Sequence, residues 1–426
     1  MTIENDYLRH SKKTNDIIDR EISKEFIGIS KEKLLITNIK NIAQECQVIN
    51  QMKDKFVKVL RSEMEQLDFT KFIDNINFLI KENYLKTKVS EGDISGLNIV
   101  SVDGSFVLKK FLNVDFSFLK AIAVRYQFSK NYDAKIKYFP DISGYNNYQI
   151  KTTYTNRGEI FVDTKISMDL RMLEIKLLNQ LIQRSDSIDL IILDGSIVPM
   201  PLNNLIFSED HEINQYHSDL IKEHRKLYQN CRDKKIILIG SIKDTRTTEF
   251  CTFLKDAIMF LKPNYDHLKD FIELNYRKGL TYFIDSDLFY RFLDINERSS
   301  IFLLKKEYDK FRHKEKRTDL PFRLPINFYA YYLKTVPYDT PCRIEFYMDQ
   351  DSRFEDITRK ANTISSIILP ISNYNKYYGL PIPQIEAHRR AVFKSGEVEI
   401  LYNSLKRSLN KFGINLLEKK RNRRPF

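Results

Sequence analysis

The chain has 426 residues, enough at roughly 100–200 residues per domain for two or three domains or one enlarged core. Hydrophobic residues make up 42% and charged residues 30%, which excludes a disordered chain, and 12 Gly with 12 Pro exclude collagen-like or linker-dominated architectures. Lys and Arg number 69 against 57 Asp and Glu, a surplus of +12 that favours a polyanionic partner, nucleic acid foremost.

Four cysteines, Cys46, Cys231, Cys251 and Cys342, are scattered without a CxxC pair, so neither a disulfide framework nor a zinc ribbon is expected. The opening MTIENDYLRHSKK lacks the apolar stretch of a signal peptide. No window holds about 18 uninterrupted apolar residues, so the expectation is a cytoplasmic protein with no membrane partner.

Residues 1–92 are expected to form a helical N-terminal region. Within it Leu35, Ile39, Ile42, Cys46, Ile49, Met52, Phe56, Leu60, Met64 and Leu67 recur at steps of three or four and build one stripe on a long helix. Packing against the same chain is the expected use of that stripe, with a partner or dimer surface as its alternative. At residue 97 the pattern changes. A short strand at 97–102 (LNIVSV) is expected to end in an Asp-Gly-Ser turn at Asp103, Gly104 and Ser105, and strands follow near 116–128 and 148–163 with a turn at Gly158. A helix is expected over 166–184 from the spacing of Ile166, Leu170, Leu173, Leu177, Leu178 and Leu181. The continuous apolar run at 188–193 (IDLIIL) fits a strand covered on both faces, and it too ends in Asp-Gly-Ser, at Asp194, Gly195 and Ser196. A polar helix near 209–231 leads to another buried strand at 236–240.

That order predicts an α/β fold, a mixed sheet flanked by helices. Residues 93–250 make the first part of this core and 251–370 an inserted α+β region, with a helical segment near 250–274, a short element at 282–293 and strands near 324–333 and 343–348. Residues 371–426 return to the core with a Pro-rich turn, a last helix over 386–412 and a basic tail.

The recurrence of buried strand followed by Asp-Gly-Ser carries the chemistry. An Asp at the C-terminal end of such a strand points into the crevice where open α/β sheets bind ligands. The helix between the two motifs carries Glu174 inside LRMLEIKLL (170–178), where it interrupts an apolar surface. A carboxylate there must pair (Arg171 is within reach), protonate or bind a cation. Asp103, Glu174 and Asp194 together are three hard oxygen ligands suited to Mg²⁺ or Mn²⁺.

Strand-Asp, helix-Glu, strand-Asp in this order is similar to the ribonuclease H-like nucleases. More closely, the chain resembles the NurA nuclease family, through VDGS at 102–105, the Glu-bearing helix at 170–178, ILDGS at 192–196, ILIGSIKDTRT at 237–247 and LPIPQIEAHRRA at 380–391. The resemblance spans about 97–250 and 375–410, and it rests on the order of these short motifs. It implies a metal-dependent exonuclease or endonuclease holding two Mn²⁺ or Mg²⁺ ions. The expected substrate is single- or double-stranded DNA ends, resected 5′ to 3′ with a HerA-type hexameric ATPase as partner, in DNA repair or defence against foreign DNA. A homodimer is also implied. Asp103 would bridge the ions, Glu174 and Asp194 would complete their shells, and the last motif supplies a catalytic histidine at His388, able to move a proton to the leaving group or orient the attacking water.

Lys243 and Arg246 follow the third buried strand, where Lys243 serves either as a phosphate contact or as a solvated loop lysine. Lys305, Lys306, Arg312, Lys314, Lys316 and Arg317 in KKEYDKFRHKEKR, and the tail at 419–424, are further phosphate contacts or solvated runs of charge. Asp285 is expected chiefly as a helix N-cap, with a further metal ligand as its alternative. Two other classes of function compete with the nuclease. The Asp-Gly turns also fit an actin- or sugar-kinase-like ATPase, although no Gly-rich adenosine segment follows, and a non-catalytic nucleic-acid-binding subunit would need a decayed site.

Overall fold

The computed structural model describes residues 31–62, 69–70, 79–112, 114–130, 133–140, 148–154, 158–185, 187–199, 211–261, 283–304, 326–414 and 416. The basic run from Lys305 to Arg317 and the tail at 419–424 lie outside the described residues.

In chain order the elements are α1 (Lys31–Ser62), β1 (Lys86–Lys88), β2 (Asn98–Lys110), β3 (Val114–Phe128), β4 (Ala134–Phe139), β5 (Tyr148–Tyr154), α2 (Glu159–Arg184) and β6 (Leu190–Asp194). Then come α3 (His211–Asp233), β7 (Ile237–Ile242), α4 (Glu249–Leu261), α5 (Asp285–Phe292), β8 (Glu297–Ser299) and β9 (Phe302–Leu303). The chain closes with β10 (Ile326–Lys334), β11 (Cys342–Asp349), α6 (Phe354–Ile368), α7 (Ile382–Ala391) and α8 (Ser395–Lys411).

The strands form one 11-stranded mixed sheet in the order β1-β8-β10-β11-β7-β6-β2-β3-β4, with β5 also on β3 and β9 on β10. The expected mixed α/β sheet flanked by helices is therefore present. β6 lies between two parallel neighbours, β2 and β7. Its Leu190, Ile191, Ile192 and Leu193 are completely buried, as a strand covered on both faces requires. β11 runs antiparallel to β7, so the 251–370 segment adds its strands to the same sheet.

Alternation along the strands sorts their side chains between two cores. Val100, Val102, Ile191 and Leu193 face a core shared with Ile175, Leu178 and Leu181 of α2 and Leu227 of α3. Ile99, Leu190, Ile192 and Ile239 face the other, closed by Ile357, Ile364 and Ile368 of α6 and Ala387 of α7. By the same alternation Asp103 and Asp194 belong to the α7 face, whereas Gly104 turns toward α2.

Several expectations need correction. The first Asp-Gly-Ser is no turn: Asp103, Gly104 and Ser105 lie mid-strand, paired with Ile122, Ala121 and Lys120 of β3. α2 begins at Glu159, earlier than the apolar spacing predicts, because Gly158 at φ +81° lets the chain enter the helix there. The single helix expected over 386–412 is two helices, α7 and α8, interrupted at Val392. α1 packs along its C-terminal end only: Phe56, Val57 and Leu60 are buried, while Leu35, Ile39 and Ile42 are exposed among the described residues. The expected burial of the whole stripe in its own chain is not seen. β4 and α6 arise where apolar spacing marked no element.

Asp285 departs from its expected role in an informative way. It is the first residue of α5, whose N-cap is Ile284. Its carboxylate instead caps a different helix, accepting the backbone N–H of Phe250 and Cys251 at the start of α4 (3.0 Å each), and it takes hydroxyl donations from Thr247 and Tyr332 (3.2 Å each). Asp285→Ala should lower stability by about 1–3 kcal/mol for each buried donor left unpaired. The shift should appear in the urea midpoint, and an unchanged midpoint would show that the carboxylate does not carry this cap.

Candidate metal centre

The parallel register sets Val102 beside Leu193 and Asp194 beside Ser241, bringing the carboxyl end of β6 next to Asp103 on β2. α7 crosses this edge with Gln384 and His388 four residues apart on one helical face. His388, in the last turn of α7 rather than at a helix start as expected, meets Asp103 through Nδ1 (2.7 Å from Oδ2). Asp103, Asp194 and His388 can each offer one ligand atom with all three atoms within 4.8 Å of one another. Two carboxylate oxygens suit a hard divalent cation such as Mn²⁺ or Mg²⁺, and Mn²⁺ also accepts an imidazole nitrogen.

Glu174 completes the acidic cluster from the other side of the sheet. Its carboxylate fits against Gly104, where a Cβ would lie 2.7 Å from Glu174 Oε1 and 2.7 Å from Leu170 Cδ1. That glycine makes room for a carboxylate, not for a chain reversal. Burial pushes the Glu174 pKa up to about 7, with Arg171 opposing the rise and the charges of Asp103 and Asp194 adding to it. Asp103 is raised in the same direction, by burial first and then by Asp194. Glu174 pairs with Arg171 (2.9 Å), and it also lies within the electrostatic field of the two aspartates. Arg171 reaches on to the carbonyls of Asp194 and Ser196, tying α2 to the turn after β6.

Lys243 donates to Asp194 Oδ2 at 2.7 Å. Burial works to lower the Lys243 pKa, but the charges of Asp194 and Asp103 outweigh it and raise the value. Arg246 is exposed on the loop beyond. Lys305, Lys306, Arg312, Lys314, Lys316 and Arg317 fall outside the described residues.

Sequence reasoning missed Gln384. Completely buried, it donates through Nε2 to Asp194 Oδ1 (3.0 Å) and accepts from Ser241 Oγ (2.7 Å), so a single amide fixes Asp194 and docks α7 on β7. Its signal was available in LPIPQIEAH, since Gln384 precedes His388 by one helical turn. Glu386 secures the same helix by accepting from Tyr138 Oη of β4 (2.8 Å) and from Arg390 Nε (2.8 Å). Glu345 of β11 also escaped notice. It accepts from Ser196 Oγ (2.5 Å) and the Ile197 N–H (3.2 Å), and it pairs with Arg343 (2.9 Å).

A family model for the NurA domain matches residues 97–393. Among solved structures the chain is similar to the NurA nuclease from Sulfolobus solfataricus, with 14% identity over 90% of this chain and 98% of that one and a TM-score of 0.49. It is also similar to a NurA with manganese (14% identity, 84% and 98% covered, TM-score 0.34) and to a NurA bound to dAMP and manganese (14%, 82% and 95%, 0.31). No curated protein matches. No helix among the described residues is long and apolar enough to cross a membrane.

Two outcomes are expected at this centre. Gln384→Ala removes the donor to Asp194 Oδ1 and leaves that carboxylate held, among the described residues, by Lys243 alone, and loss of such an outer-shell partner should weaken Mn²⁺ binding about 10–100-fold by calorimetry; unchanged affinity would leave Gln384 a packing residue. Glu174 keeps its proton up to about 7 in the folded chain but only to its ordinary 4.5 when unfolded. The folded state thus holds the extra proton between those values, and stability falls as pH rises through that window. Relative to Glu174→Gln, metal-free wild type should lose stability from pH 4.5 to 7, and a constant difference would show that Glu174 holds no such proton.

Proposed function

The chain belongs to the NurA family, and from that premise we propose that it is a metal-dependent nuclease hydrolysing phosphodiester bonds at DNA ends. The observation carrying this reading is the convergence of Asp103, Asp194 and His388, with Glu174 buried against Gly104 beside them. In this reading Asp103, Asp194 and Glu174 would hold the Mn²⁺ or Mg²⁺ ions, two in number by the family resemblance. Ions so held supply charge stabilisation to both the attacking and the leaving oxygen.

The remaining steps belong to the chain's own groups. Asp103 engages His388 Nδ1 and so orients the ring, leaving the half-exposed Nε2 edge to hold or deliver a proton near the scissile phosphate. Gln384 keeps Asp194 aimed at the shared crevice. Lys243, held beside the crevice by Asp194 (2.7 Å), would supply positive charge to a phosphate bound there. Arg171 stays with the Ser196 carbonyl and holds the turn shut around Glu174.

The solved NurA structures with manganese and with dAMP support a metal and a nucleotide as ligands of this fold. Assembly with a HerA-type hexameric ATPase, a homodimeric state and 5′ to 3′ resection belong to the same proposal through the family resemblance. The ATPase alternative is disfavoured because it needs a phosphate-binding turn at Asp103, and the strand runs straight through that position.

Labelled single- and double-stranded DNA incubated with Mn²⁺, Mg²⁺ or EDTA, with and without the ATPase, tests the proposal. Degradation should require the metal and vanish in Asp103→Ala, whereas His388→Ala should slow it roughly 10²–10⁴-fold. Full activity of Asp103→Ala, or cleavage in EDTA, would falsify the reading.

A further inference from the structure

The sheet edge that carries Asp194 and Lys243 also exposes aromatic surface. Arg343, at the start of β11, lies opposite Ile242 at the end of β7, so the turn joining β10 to β11 emerges beside Lys243. The segment entering α7 returns to the same corner. The Tyr338 N–H donates to the Lys376 carbonyl (3.1 Å), the Gly379 N–H to Asp339 Oδ2 (2.8 Å) and Thr335 Oγ1 to the Gly379 carbonyl (2.8 Å). Gly379 leaves no space for a Cβ, which would meet Val336 Cγ2 at 2.9 Å. The two loops are thereby locked together.

They present four tyrosines to water: Tyr338, Tyr374, Tyr377 and Tyr378 are 59, 55, 71 and 40% exposed. The rings of Tyr338 and Tyr377 stack on each other, with centroids 5.1 Å apart and planes 21° from parallel. Stacking gives this pair one fixed flat face instead of two freely rotating side chains. Tyr378 is close enough to Lys243 for their charges to interact, and Lys376 is exposed on the same loop.

We propose that this tyrosine face is a base-stacking subsite, taking unpaired bases of a nucleic-acid strand whose backbone is led past Lys243 to Asp103 and Asp194. The inference rests on the nuclease reading. Every unpaired base has a π-face that an aromatic ring can take, whatever the sequence. Inside a duplex that face is already occupied by the neighbouring base pair, so only a terminal pair competes with an unpaired strand for the platform. Fixed rings flanked by cations match a base attached to a phosphate, and the overall surplus of +12 draws in the same polyanion.

The test compares binding of fluorescein-labelled oligo(dT) with that of an abasic oligomer of equal length, with Ca²⁺ replacing Mn²⁺ so that no strand is cut. Wild type should prefer oligo(dT). The pair Tyr338→Ala and Tyr377→Ala should lower affinity for oligo(dT) roughly 5–150-fold while binding the abasic oligomer as before, and the corresponding Trp pair should keep the preference. A wild type that shows no preference overturns the proposal, as does an Ala pair that weakens neither oligomer or both alike. An Ala pair that keeps the preference but no longer associates with a hexameric ATPase assigns the face to a protein partner and also overturns it. Cleavage in Mn²⁺ is scored separately. Wild type that cuts no DNA defeats the nuclease reading, whereas cleavage with an unchanged base preference defeats only the stacking.

Discussion

Mutual repulsion among buried carboxylates is the constraint around which this fold is arranged. Asp103, Asp194 and Glu174 lie close enough to perturb one another, in surroundings that solvate charge poorly. Such a cluster persists in a folded chain only if cations, protons or hydrogen-bond donors offset it. Each carboxylate has its own means. Glu174 has Arg171 and a raised pKa, Asp194 has Lys243 and the Gln384 amide, and Asp103 has His388. A site already held by such exchangeable partners is prepared to accept divalent charge, because a metal ion relieves the repulsion that the protein's own groups only partly cancel.

The backbone makes this convergence possible through two glycines that have no Cβ to obstruct it. At Gly104 the missing atom admits Glu174 from the α2 side, so acidic groups from opposite faces of the sheet reach one crevice. At Gly240 a Cβ would lie 2.6 Å from the Gly195 carbonyl and 2.8 Å from the Ile197 nitrogen, so the turn after Asp194 can lie directly on β7. Gly195 is the true turn residue of the pair of motifs, at φ +98°. One tripeptide therefore serves two mechanical purposes, close approach in β2 and reversal after β6.

The central strands were legible in the sequence because buried parallel strands read as unbroken apolar runs, with Asp103 and Asp194 standing out where the runs end; Glu174 stood out on an apolar helix face, and His388 only through the resemblance of LPIPQIEAHRRA. The strand passing through Asp103 was not legible. Asp-Gly is locally a turn signal, and only pairing with Ala121 and Ile122 of β3 overrides it. α1 misled in the opposite sense: its helical spacing is real, but spacing cannot tell whether anything covers the stripe, and Leu35 to Ile42 remain exposed. Gln384 and Glu345 escaped because a polar residue that positions a ligand through hydrogen bonds has no compositional signature of its own.

Glu345 shows why the segment without motifs matters to the site. Arg343 on β11 binds Glu345 on one side and Glu249 at the start of α4 on the other (2.8 Å), while Glu345 grips Ser196 and Ile197 immediately after Asp194. Thr247, which donates to the Asp285 cap, also lies within 3.4 Å of Arg343. A continuous buried polar chain thus runs from the start of α5 to the turn that aims Asp194. Pairing stiffens such a network, although Arg343 Nε is buried without a partner among the described residues. The strands between 297 and 349 are therefore part of the apparatus that holds the acidic residues in position, even though none of their side chains is placed among the metal ligands.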